Sequence, residues 1–228
     1  MKKIVFLTGA GISAESGIST FRYANGLWEG HDIMAVASYD GFLKNPELVL
    51  DFYNIRRRQL LTVKPNLAHQ LITNLQEKYE VRIITQNVDD LHERAGNSNV
   101  IHLHGELLKS RSVVNENLVY ECFEDILITS KNNLGHQLRP HIVWFGEAVP
   151  EMENAIIHIE KADIIVIVGT SLQVYPAAGL IDFARNNALI FYIDQNPAET
   201  KHYNKDINVI AKKATEGMLE LYELLKNL

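Results

Sequence analysis

Short apolar runs alternate along the chain with longer segments of helical character. The apolar runs predict four strands: Lys3–Thr8, Val81–Thr85, Asp163–Val168 and Ala188–Ile193. The longer segments predict four helices: Pro46–Leu61, Asn66–Lys78, Tyr175–Asn186 and Thr215–Asn227. Because the strands are continuously apolar rather than alternating, they are typical of parallel strands covered on both faces. Strands that alternate with helices therefore predict an α/β fold with a doubly wound parallel sheet.

Two stretches depart from this pattern. Phe21–Leu43 has no clean period, and Leu107–Leu138 is polar. Within the second stretch, weak strand signals at Arg111–Val114 and Leu118–Cys122 predict a hairpin. We expect both stretches to form a small lobe inserted in the main sheet. The segments assigned to this lobe are approximately 22–50 and 107–138 of a single domain that spans 1–228.

Charge and cysteine content narrow the classes of function. The 228 residues include 22 Lys and Arg against 28 Asp and Glu, a net charge of −6, which argues against a nucleic-acid-binding face. No apolar run approaches the ~20 residues of a membrane helix, and Ile4–Leu7 is too short for a signal peptide. We therefore expect a cytoplasmic monomer without nucleic-acid or membrane partners. The single cysteine excludes an internal disulfide and any zinc site built from two thiolates.

Two glycine-containing loops follow predicted strands. Gly9-Ala10-Gly11 follows the first strand and is predicted to open a helix, where backbone amides could approach a pyrophosphate. Gly169-Thr170-Ser171 follows the strand that ends at Val168. Ligands of doubly wound sheets bind beyond the carboxyl ends of strands, so two such loops indicate two sides of one nucleotide. A tight turn without ligand is the alternative for the first loop.

Polar side chains also follow the strand that ends at Thr85. Gln86, Asn87 and Asp89 supply two amides and a carboxylate, which could reach the hydroxyls of a ribose or the amide of a nicotinamide. The alternative is helix capping by Asn87 or Asp89, although three such side chains are more than a cap needs.

His102 and His104 are two residues apart and would share one face of a strand. Two imidazoles at this spacing could chelate a metal, but no carboxylate or thiol completes an obvious set of ligands. Because His104 lies next to Gly105 at a strand end, it is better interpreted as a proton-transfer group with room for substrate. A core histidine satisfied by hydrogen bonds is the alternative, and it suits His102 better than His104.

Six motifs together resemble the sirtuin family of NAD-dependent protein deacylases, and they occur in family order across almost the whole chain. The motifs are Gly9–Ile18, Thr20-Phe21-Arg22, Thr85–Asp89, His102–Gly105, Val143–Glu147 and Gly169–Ser171. The resemblance implies a Rossmann-like NAD-binding domain. It also implies that NAD is consumed as a co-substrate: an acyl-lysine oxygen attacks the nicotinamide ribose, nicotinamide leaves, and free lysine and O-acyl-ADP-ribose are released.

The resemblance assigns roles residue by residue. It implies His104 as the general base, with Asn87 and Asp89 as further catalytic residues. It implies that NAD is bound by Gly9, Ala10, Gly11, Thr20, Phe21, Arg22, Gln86, Asn87, Asp89, Gly169, Thr170, Ser171 and Asp194. It implies that an acyl-lysine peptide pairs as an added strand with a segment that contains Val143, Phe145, Gly146 and Glu147.

The segment around Tyr53 and Arg56 looks like that of bacterial sirtuins that remove acidic acyl groups. At i and i+3 the two side chains share one helix face, where a guanidinium could bind a carboxylate through two hydrogen bonds. In that class, a Tyr and an Arg at this spacing bind succinyl- and malonyl-lysine. The resemblance thus implies desuccinylase and demalonylase activity beside deacetylase activity. Arg57 and Arg58 are interpreted as a solvated helix face.

The chain departs from the family at two places. The usual zinc module with two Cys-x-x-Cys pairs is replaced by Leu107–Leu138, which contains only Cys122, so we expect no zinc. A mixed site from Cys122, His136, His141 and a carboxylate can be drawn, but its spacing is unfamiliar. Without metal, the lobe is expected to be held by apolar packing of Val113, Leu118, Val119, Tyr120, Phe123, Ile126 and Leu127. The second departure is Asp194, where the family often has Asn, although an Asp can still accept from ribose hydroxyls.

Three other functions stay open at this point. The first is an oxidoreductase that uses the same glycine loop, and the second is a sirtuin-like mono-ADP-ribosyltransferase. The third is a binding module without catalysis, which the presence of Asn87, Asp89 and His104 argues against.

Overall fold

The computed structural model describes residues 1–19 and 27–226. Its centre is a sheet of six parallel strands. The strands are β1 (Lys3–Thr8), β4 (Glu80–Thr85), β5 (Val100–His102), β9 (Ile164–Val168), β10 (Leu189–Ile193) and β11 (Ile207–Ile210). Across the sheet they lie in the order β11-β10-β9-β1-β4-β5. The order confirms the predicted doubly wound sheet, because the chain proceeds from β1 to β4 and β5 on one side and later to β9, β10 and β11 on the other.

Both faces of this sheet are dry, as the continuous apolar runs predict. Along β1, Ile4 and Phe6 point into one core and Val5 and Leu7 into a second, and all four are buried. The first core is covered by α4 (Leu67–Asn74) and α7 (Ala214–Lys226). The second is covered by α6 (Met152–Lys161) and a 3-10 helix, Ala177–Phe183.

The small lobe is built from short elements around a third core. Its strands are β2 (Leu27–Trp28), β3 (His31–Asp32), β6 (Gly105–Ser112), β7 (Val119–Glu121) and β8 (Leu138–Ile142). Its helices are α1 (Ile33–Val36), α2 (Tyr39–Lys44) and α3 (Pro46–Leu60). The strands β7, β6 and β8 form an antiparallel sheet, and the pairing of Arg111 with Val119 confirms the predicted hairpin. The third core joins this sheet to α3 through Leu50, Tyr53 and Trp144.

Several elements differ from the predictions for local reasons. The predicted helix Tyr175–Asn186 is the shorter 3-10 helix Ala177–Phe183. The strand β11 was not predicted, because its sequence Ile-Asn-Val-Ile is short and polar at Asn208, as suits a half-exposed edge strand. The helices α5 (Leu91–Arg94) and α6 were not predicted either. Within the described ranges, no helix combines the length and the apolar content that a membrane span requires.

The expected apolar packing of the small lobe is wrong for three of its seven candidates, whereas Val113 and Ile126 do pack in the third core. Ile126 is buried, but Val119, Phe123 and Leu127 are exposed. Polar contacts also hold this segment: the Asn54 side chain donates to the carbonyl of Ile126 (3.0 Å) and accepts from its amide (2.9 Å). The segment around Ile126 is therefore held to α3 by hydrogen bonds as well as by the third core.

Candidate active site

The two glycine loops meet where the sheet changes direction, between β1 and β9. The Gly11 N–H donates to the carbonyl of Gly169 at 2.8 Å, and the Gly9 N–H donates to the carbonyl of Val168 at 3.0 Å. A Cβ on Gly11 would lie 2.5 Å from the Gly169 Cα, and a Cβ on Gly9 would lie 2.7 Å from the Thr170 Cβ. Only glycine permits this approach, and it places both loops at the crevice where doubly wound folds bind ligands.

The first loop does not open an α-helix as predicted. It continues as two 3-10 turns, Ala10–Ile12 and Ala14–Ser16, and ends at Gly17 with a φ of 96°. The Gly11 N–H, in the first of these turns, is engaged by the Gly169 carbonyl, which ties the two loops together. The loop therefore presents a compact backbone surface rather than a long helix N-terminus.

A cavity of about 930 Å³ opens at this crevice and extends to the small lobe. Most of the predicted site residues line it: Gly9, Ala10, Gly11, Tyr53, Gln86, Asn87, Asp89, His104, Val143, Phe145, Gly146, Glu147, Gly169, Thr170, Ser171 and Asp194. The predicted residues Thr20, Phe21 and Arg22 lie outside the described residues. The volume is at the upper end of the range of small-molecule sites, and the crowded glycine backbone suits a pyrophosphate, so the residues present fit a dinucleotide.

Ser13 joins the two polar side chains after β4. The Asn87 amide donates to the Ser13 hydroxyl at 3.1 Å, and that hydroxyl donates to the Asp89 carboxylate at 2.9 Å. All three side chains are buried, and burial raises the pKa of Asp89. The second Asp89 oxygen accepts from the Leu91 amide at 3.1 Å, so the capping interpretation also holds for Asp89. Gln86 instead reaches across to the second loop and donates to the Thr170 hydroxyl at 3.0 Å.

A buried hydroxyl pair lies directly behind Asn87. The Asn87 N–H donates to the Thr85 hydroxyl at 3.0 Å, and the Thr8 hydroxyl donates to the same oxygen at 2.9 Å. The His92 Nε2 is 3.0 Å from the Thr8 hydroxyl. Burial holds the pKa of His92 well below its usual range, so the ring is neutral. This network ties the carboxyl ends of β1 and β4 to the backbone of a cavity residue.

The two histidines that the sequence paired have different surroundings. The strand β5 ends at His102, so His104 lies in the following turn. His102 uses both ring nitrogens, with Nδ1 3.1 Å from the Asn87 carbonyl and Nε2 2.8 Å from the Glu93 carboxylate. Burial alone would lower the pKa of His102, but Glu93 outweighs it and raises the pKa. His102 is thus the satisfied structural histidine that the alternative interpretation described.

One ring nitrogen of His104 is available for proton transfer. Its Nδ1 lies 3.1 Å from the Gln86 carbonyl, which can only accept, so Nδ1 carries a proton. Burial lowers the pKa of His104, which favours the neutral ring with an unprotonated Nε2. A neutral imidazole of fixed tautomer that lines a cavity is equipped to act as a general base.

Tyr53 and Arg56 lie on one face of α3 but enter different spaces. Tyr53 is buried and lines the large cavity, where its hydroxyl accepts from the Trp144 indole N–H at 3.0 Å. Arg56 is half-buried and lines a small adjoining pocket of about 70 Å³ that shares Trp28, Val88 and Asp89 with the large cavity. The two side chains therefore line two neighbouring spaces that share part of their walls.

Arg56 is held there by aromatic rings. Its guanidinium lies 3.2 Å from the centroid of the Phe52 ring and 4.8 Å from that of Trp28. Its Nη1 donates to the Phe52 carbonyl at 2.7 Å. Burial lowers the pKa of Arg56 to about 10, so the group stays cationic at neutral pH. Four of its five N–H groups are not used by that backbone bond.

The predicted peptide-binding segment is braced by a buried ion cluster. The Glu147 carboxylate accepts from Arg139 at 2.6 and 2.9 Å, from Arg111 at 3.0 Å and from the Trp144 amide at 2.8 Å. Burial alone would raise the pKa of Glu147, but these donors lower it. Glu147 thus fixes the turn after Val143, and it also lines the cavity, so its predicted role toward substrate stays a prediction.

Arg57 corrects the prediction of a solvated face on α3. The sequence placed Arg57 and Arg58 on a solvated face, but only Arg58 is exposed, where it contacts Asp125. Arg57 is fully buried: its Nε donates to the Leu107 carbonyl at 3.0 Å and its Nη1 to the Asn54 side chain at 2.7 Å. This arginine connects α3 to β6 and cannot be part of a polar surface.

The described residues, 1–19 and 27–226, contain no group of three or more His, Cys, Asp or Glu side chains that could hold a metal ion, in the small lobe or elsewhere. Cys122 and His136, which the sequence combined in a possible mixed site, are engaged separately. The Cys122 thiol donates to the Glu124 carbonyl at 3.4 Å, and the His136 Nδ1 is 3.2 Å from the Ser112 hydroxyl.

Sequence reasoning missed Ser13, Trp144 and the Thr8–Thr85–His92 network. Ser13 and Trp144 stood inside recognised motifs but were given no role. Their roles depend on partners far along the chain, since Trp144 contacts a residue 91 positions away and Ser13 contacts residues 74 and 76 positions away.

Comparisons with known proteins agree with the geometry. The Sir2 family profile matches residues 9–176. An NAD-dependent protein deacylase of Helicobacter pylori (strain ATCC 700392 / 26695) is 56% identical over 221 residues, which cover 97% of this chain and 96% of that protein. An NAD-dependent protein deacylase of Bacteroides thetaiotaomicron is 52% identical over 231 residues, with coverage of 99% and 98%.

Solved structures give the same result at the level of the fold. A Sir2 homologue in complex with NAD superimposes with a TM-score of 0.88 at 39% identity, covering 99% of this chain and 90% of that one. A mutant Sir2 homologue in complex with ADP-ribose has a TM-score of 0.89 at 38% identity, with coverage of 99% and 92%. The whole crevice between β1 and β9 lies within the matched chain, and the protein therefore belongs to the Sir2 family, the sirtuins.

Proposed function

We propose that this chain, an NAD-dependent protein deacylase of the Sir2 family, removes succinyl and malonyl groups from lysine side chains and also removes acetyl groups. The observation that carries the acyl preference is the placement of Tyr53 and Arg56. A phenol lines the large cavity, and a guanidinium one helical turn along α3 lines the small pocket that adjoins it. Both can donate hydrogen bonds to a carboxylate.

The NAD-binding proposal rests on the crevice between β1 and β9. The loops at Gly9–Gly11 and Gly169–Ser171 line the cavity with closely packed backbone, which lets a pyrophosphate approach. Gln86, Asn87 and Asp89 line the same cavity. Asp194, at the end of β10, lines it too, and its carboxylate could accept from ribose hydroxyls. NAD supplies the reactive ribose, and the chain's own residues bind and orient it.

The general-base proposal rests on His104. Its Nδ1–H is held by the Gln86 carbonyl, so the proton that the reaction removes must go to Nε2. Because burial lowers its pKa, Nε2 is available to accept a proton at neutral pH. His102 cannot take this role, since both of its nitrogens are engaged.

Arg56 gives the acyl preference its physical basis. A carboxylate that enters a largely apolar channel without a partner costs several kcal/mol, roughly, and a cationic partner held by Phe52 and Trp28 offsets that cost. An acetyl group has no charge to satisfy there. Arg56 should therefore decide between acidic and neutral acyl groups.

The test is mass spectrometry of succinyl-, malonyl- and acetyl-lysine peptides incubated with the protein, with and without NAD. We expect NAD-dependent loss of all three groups, with release of nicotinamide and O-acyl-ADP-ribose. His104→Ala should reduce turnover by about 10²–10⁴-fold while the protein stays folded. Full activity in a folded His104→Ala protein would contradict the assignment of the base.

A matched pair of variants on α3 tests the acyl preference. Arg56→Met should lower the ratio of succinyl to acetyl activity by at least ~10-fold. Arg58→Met, two residues further along and exposed, should leave that ratio as it is. Equal losses on both substrates in Arg56→Met would defeat the proposed preference.

The same reactions distinguish the other functions. A hydride-transferring oxidoreductase would change the absorbance of the nicotinamide without releasing it. A mono-ADP-ribosyltransferase would transfer label from NAD to protein and would not depend on Tyr53 or Arg56.

A further inference from the structure

We infer that Trp144 is a positioning residue for acidic acyl groups: its indole N–H occupies one lone pair of the Tyr53 hydroxyl, so that the phenolic proton is left for the acyl carboxylate. The inference rests on the proposed function, because it concerns how Tyr53 would meet that carboxylate. It assigns a specificity role to a residue that does not itself need to touch the charge.

The argument begins with the hydrogen-bonding capacity of the two groups. An indole N–H can only donate, whereas a phenol has one proton and accepts through its lone pairs. The Trp144 Nε1 lies 3.0 Å from the Tyr53 oxygen, so Tyr53 is the acceptor in this bond. The phenolic O–H therefore needs an acceptor of its own, and the described part of the chain supplies none.

Tyr53 is poised to use this proton in the cavity. The residue is 1% exposed, so an O–H without an acceptor is unfavourable there. Burial raises the pKa of Tyr53 far above its usual range, which keeps the phenol protonated. Tyr53 lines the large cavity, and an acyl carboxylate there would accept the bond that the protein leaves unmade.

Trp144 is itself held in place from three sides. Its backbone N–H donates to Glu147 at 2.8 Å. The Arg139 guanidinium stacks 3.4 Å from the centroid of its ring, and the Phe42 ring lies 5.2 Å away. With 2% exposure, the indole cannot rotate without disturbing these contacts. The direction of its N–H, and with it the direction of the Tyr53 proton, is thus set by the fold before substrate binds.

The oriented phenol should favour acyl groups that carry a negative charge. A succinyl or malonyl group ends in a carboxylate that needs a donor, and the oriented phenol supplies one beside Arg56. An acetyl group offers no such acceptor at that depth. Loss of the indole N–H would let the phenol turn its proton away, which weakens binding of acidic acyl groups in particular.

The test is a double-mutant cycle of Tyr53→Phe and Trp144→Phe, with kcat and KM measured on matched succinyl- and acetyl-lysine peptides. We expect each single variant to lower the ratio of succinyl to acetyl kcat/KM, Tyr53→Phe by ~10-fold and Trp144→Phe by a few-fold, mainly through KM. In the Tyr53→Phe background, Trp144→Phe should not lower the ratio further, because no phenolic proton remains to be oriented.

A second variant controls for the smaller side chain that Trp144→Phe introduces. Replacement of Trp144 by its benzothiophene analogue, in which sulfur takes the place of the N–H, keeps the size of the ring and should lower the ratio as Trp144→Phe does. The inference is overturned if this analogue leaves the ratio unchanged, or if Trp144→Phe has the same effect with and without the phenol. A wild-type protein with no desuccinylase activity would instead overturn the proposed function itself.

Discussion

The central sheet and the small lobe bury different kinds of side chain. β9 is apolar at all five positions, and each of them is at most 1% exposed. In the lobe, by contrast, Arg57, Arg111 and Arg139 are buried to within 5% exposure. Burial of a charge is unfavourable unless it is paired, so the lobe needs Glu147 and backbone carbonyls as partners in addition to its apolar core, whereas the sheet is covered by apolar contact.

Of the substitutions considered, Glu147→Ala should lower the free energy of unfolding the most. It leaves Arg139 buried without a carboxylate and Arg111 with only the exposed Glu116 at 3.9 Å, and loss of a buried partner typically costs about 3–5 kcal/mol. Urea unfolding would measure the loss. The control is Asp125→Ala, which removes the partner of the exposed Arg58 and should cost less than ~1 kcal/mol. Similar small losses in both variants would mean that the buried cluster does not support the lobe.

The contrast also explains what the sequence could and could not predict. The sheet and the crevice were predictable, because continuous apolar runs and glycine loops at strand ends are local signals. Arg57 was misassigned because its neighbours on α3 suggest a charged surface. Its partners, Asn54 and the carbonyl of Leu107, come together only in the fold. The pairing of Tyr53 with Trp144 was likewise invisible, although both residues were noted.

Mild acid should lower the stability of the sheet side through a buried histidine on one of the helices that cover it. Burial, with a smaller effect of Arg94, lowers the pKa of His69 on α4 to about 4, against about 6.5 in the unfolded chain. Between these values the unfolded chain binds the proton and the folded chain does not. The stability is therefore present above pH 6.5 and is lost as the pH falls, by about 2 kcal/mol between pH 6.5 and pH 5.

Urea unfolding at pH 7 and pH 5 would measure this dependence, with His69→Gln as the comparison. The variant should lose less stability than the wild type on acidification. His92 shifts the stability in the same direction as His69, whereas His102, whose pKa Glu93 raises, contributes stability that is lost as the pH rises. The carboxylate of Glu147, with its lowered pKa, contributes stability that is lost only below the ordinary glutamate range. Equal pH dependence in wild type and His69→Gln would refute the assignment.

Thr85→Val tests whether the sheet supports the site through the hydroxyl pair that joins β1 and β4. The substitution keeps the shape but removes the acceptor of the Asn87 N–H and of the Thr8 hydroxyl, which should cost about 1–3 kcal/mol. We also expect KM for NAD to rise, because Asn87 lines the cavity. Thr62→Val, at an exposed hydroxyl, is the control and should change neither quantity. An unchanged KM in Thr85→Val would limit the network to a structural role.

The smallest effect is expected for Phe123→Ser, which tests whether apolar packing of this side chain helps to hold the small lobe. If apolar packing held it, Phe123→Ser would be costly, but Phe123 is 52% exposed and should change the free energy of unfolding by no more than ~0.5 kcal/mol. Ile126→Ala, three residues on and 2% exposed, should cost about 2–4 kcal/mol. Urea unfolding of both variants would compare them directly. A loss above 2 kcal/mol for Phe123→Ser would restore the apolar account. A near-neutral result would mean that Ile126 and its bonds to Asn54 anchor the segment, while its neighbours face solvent.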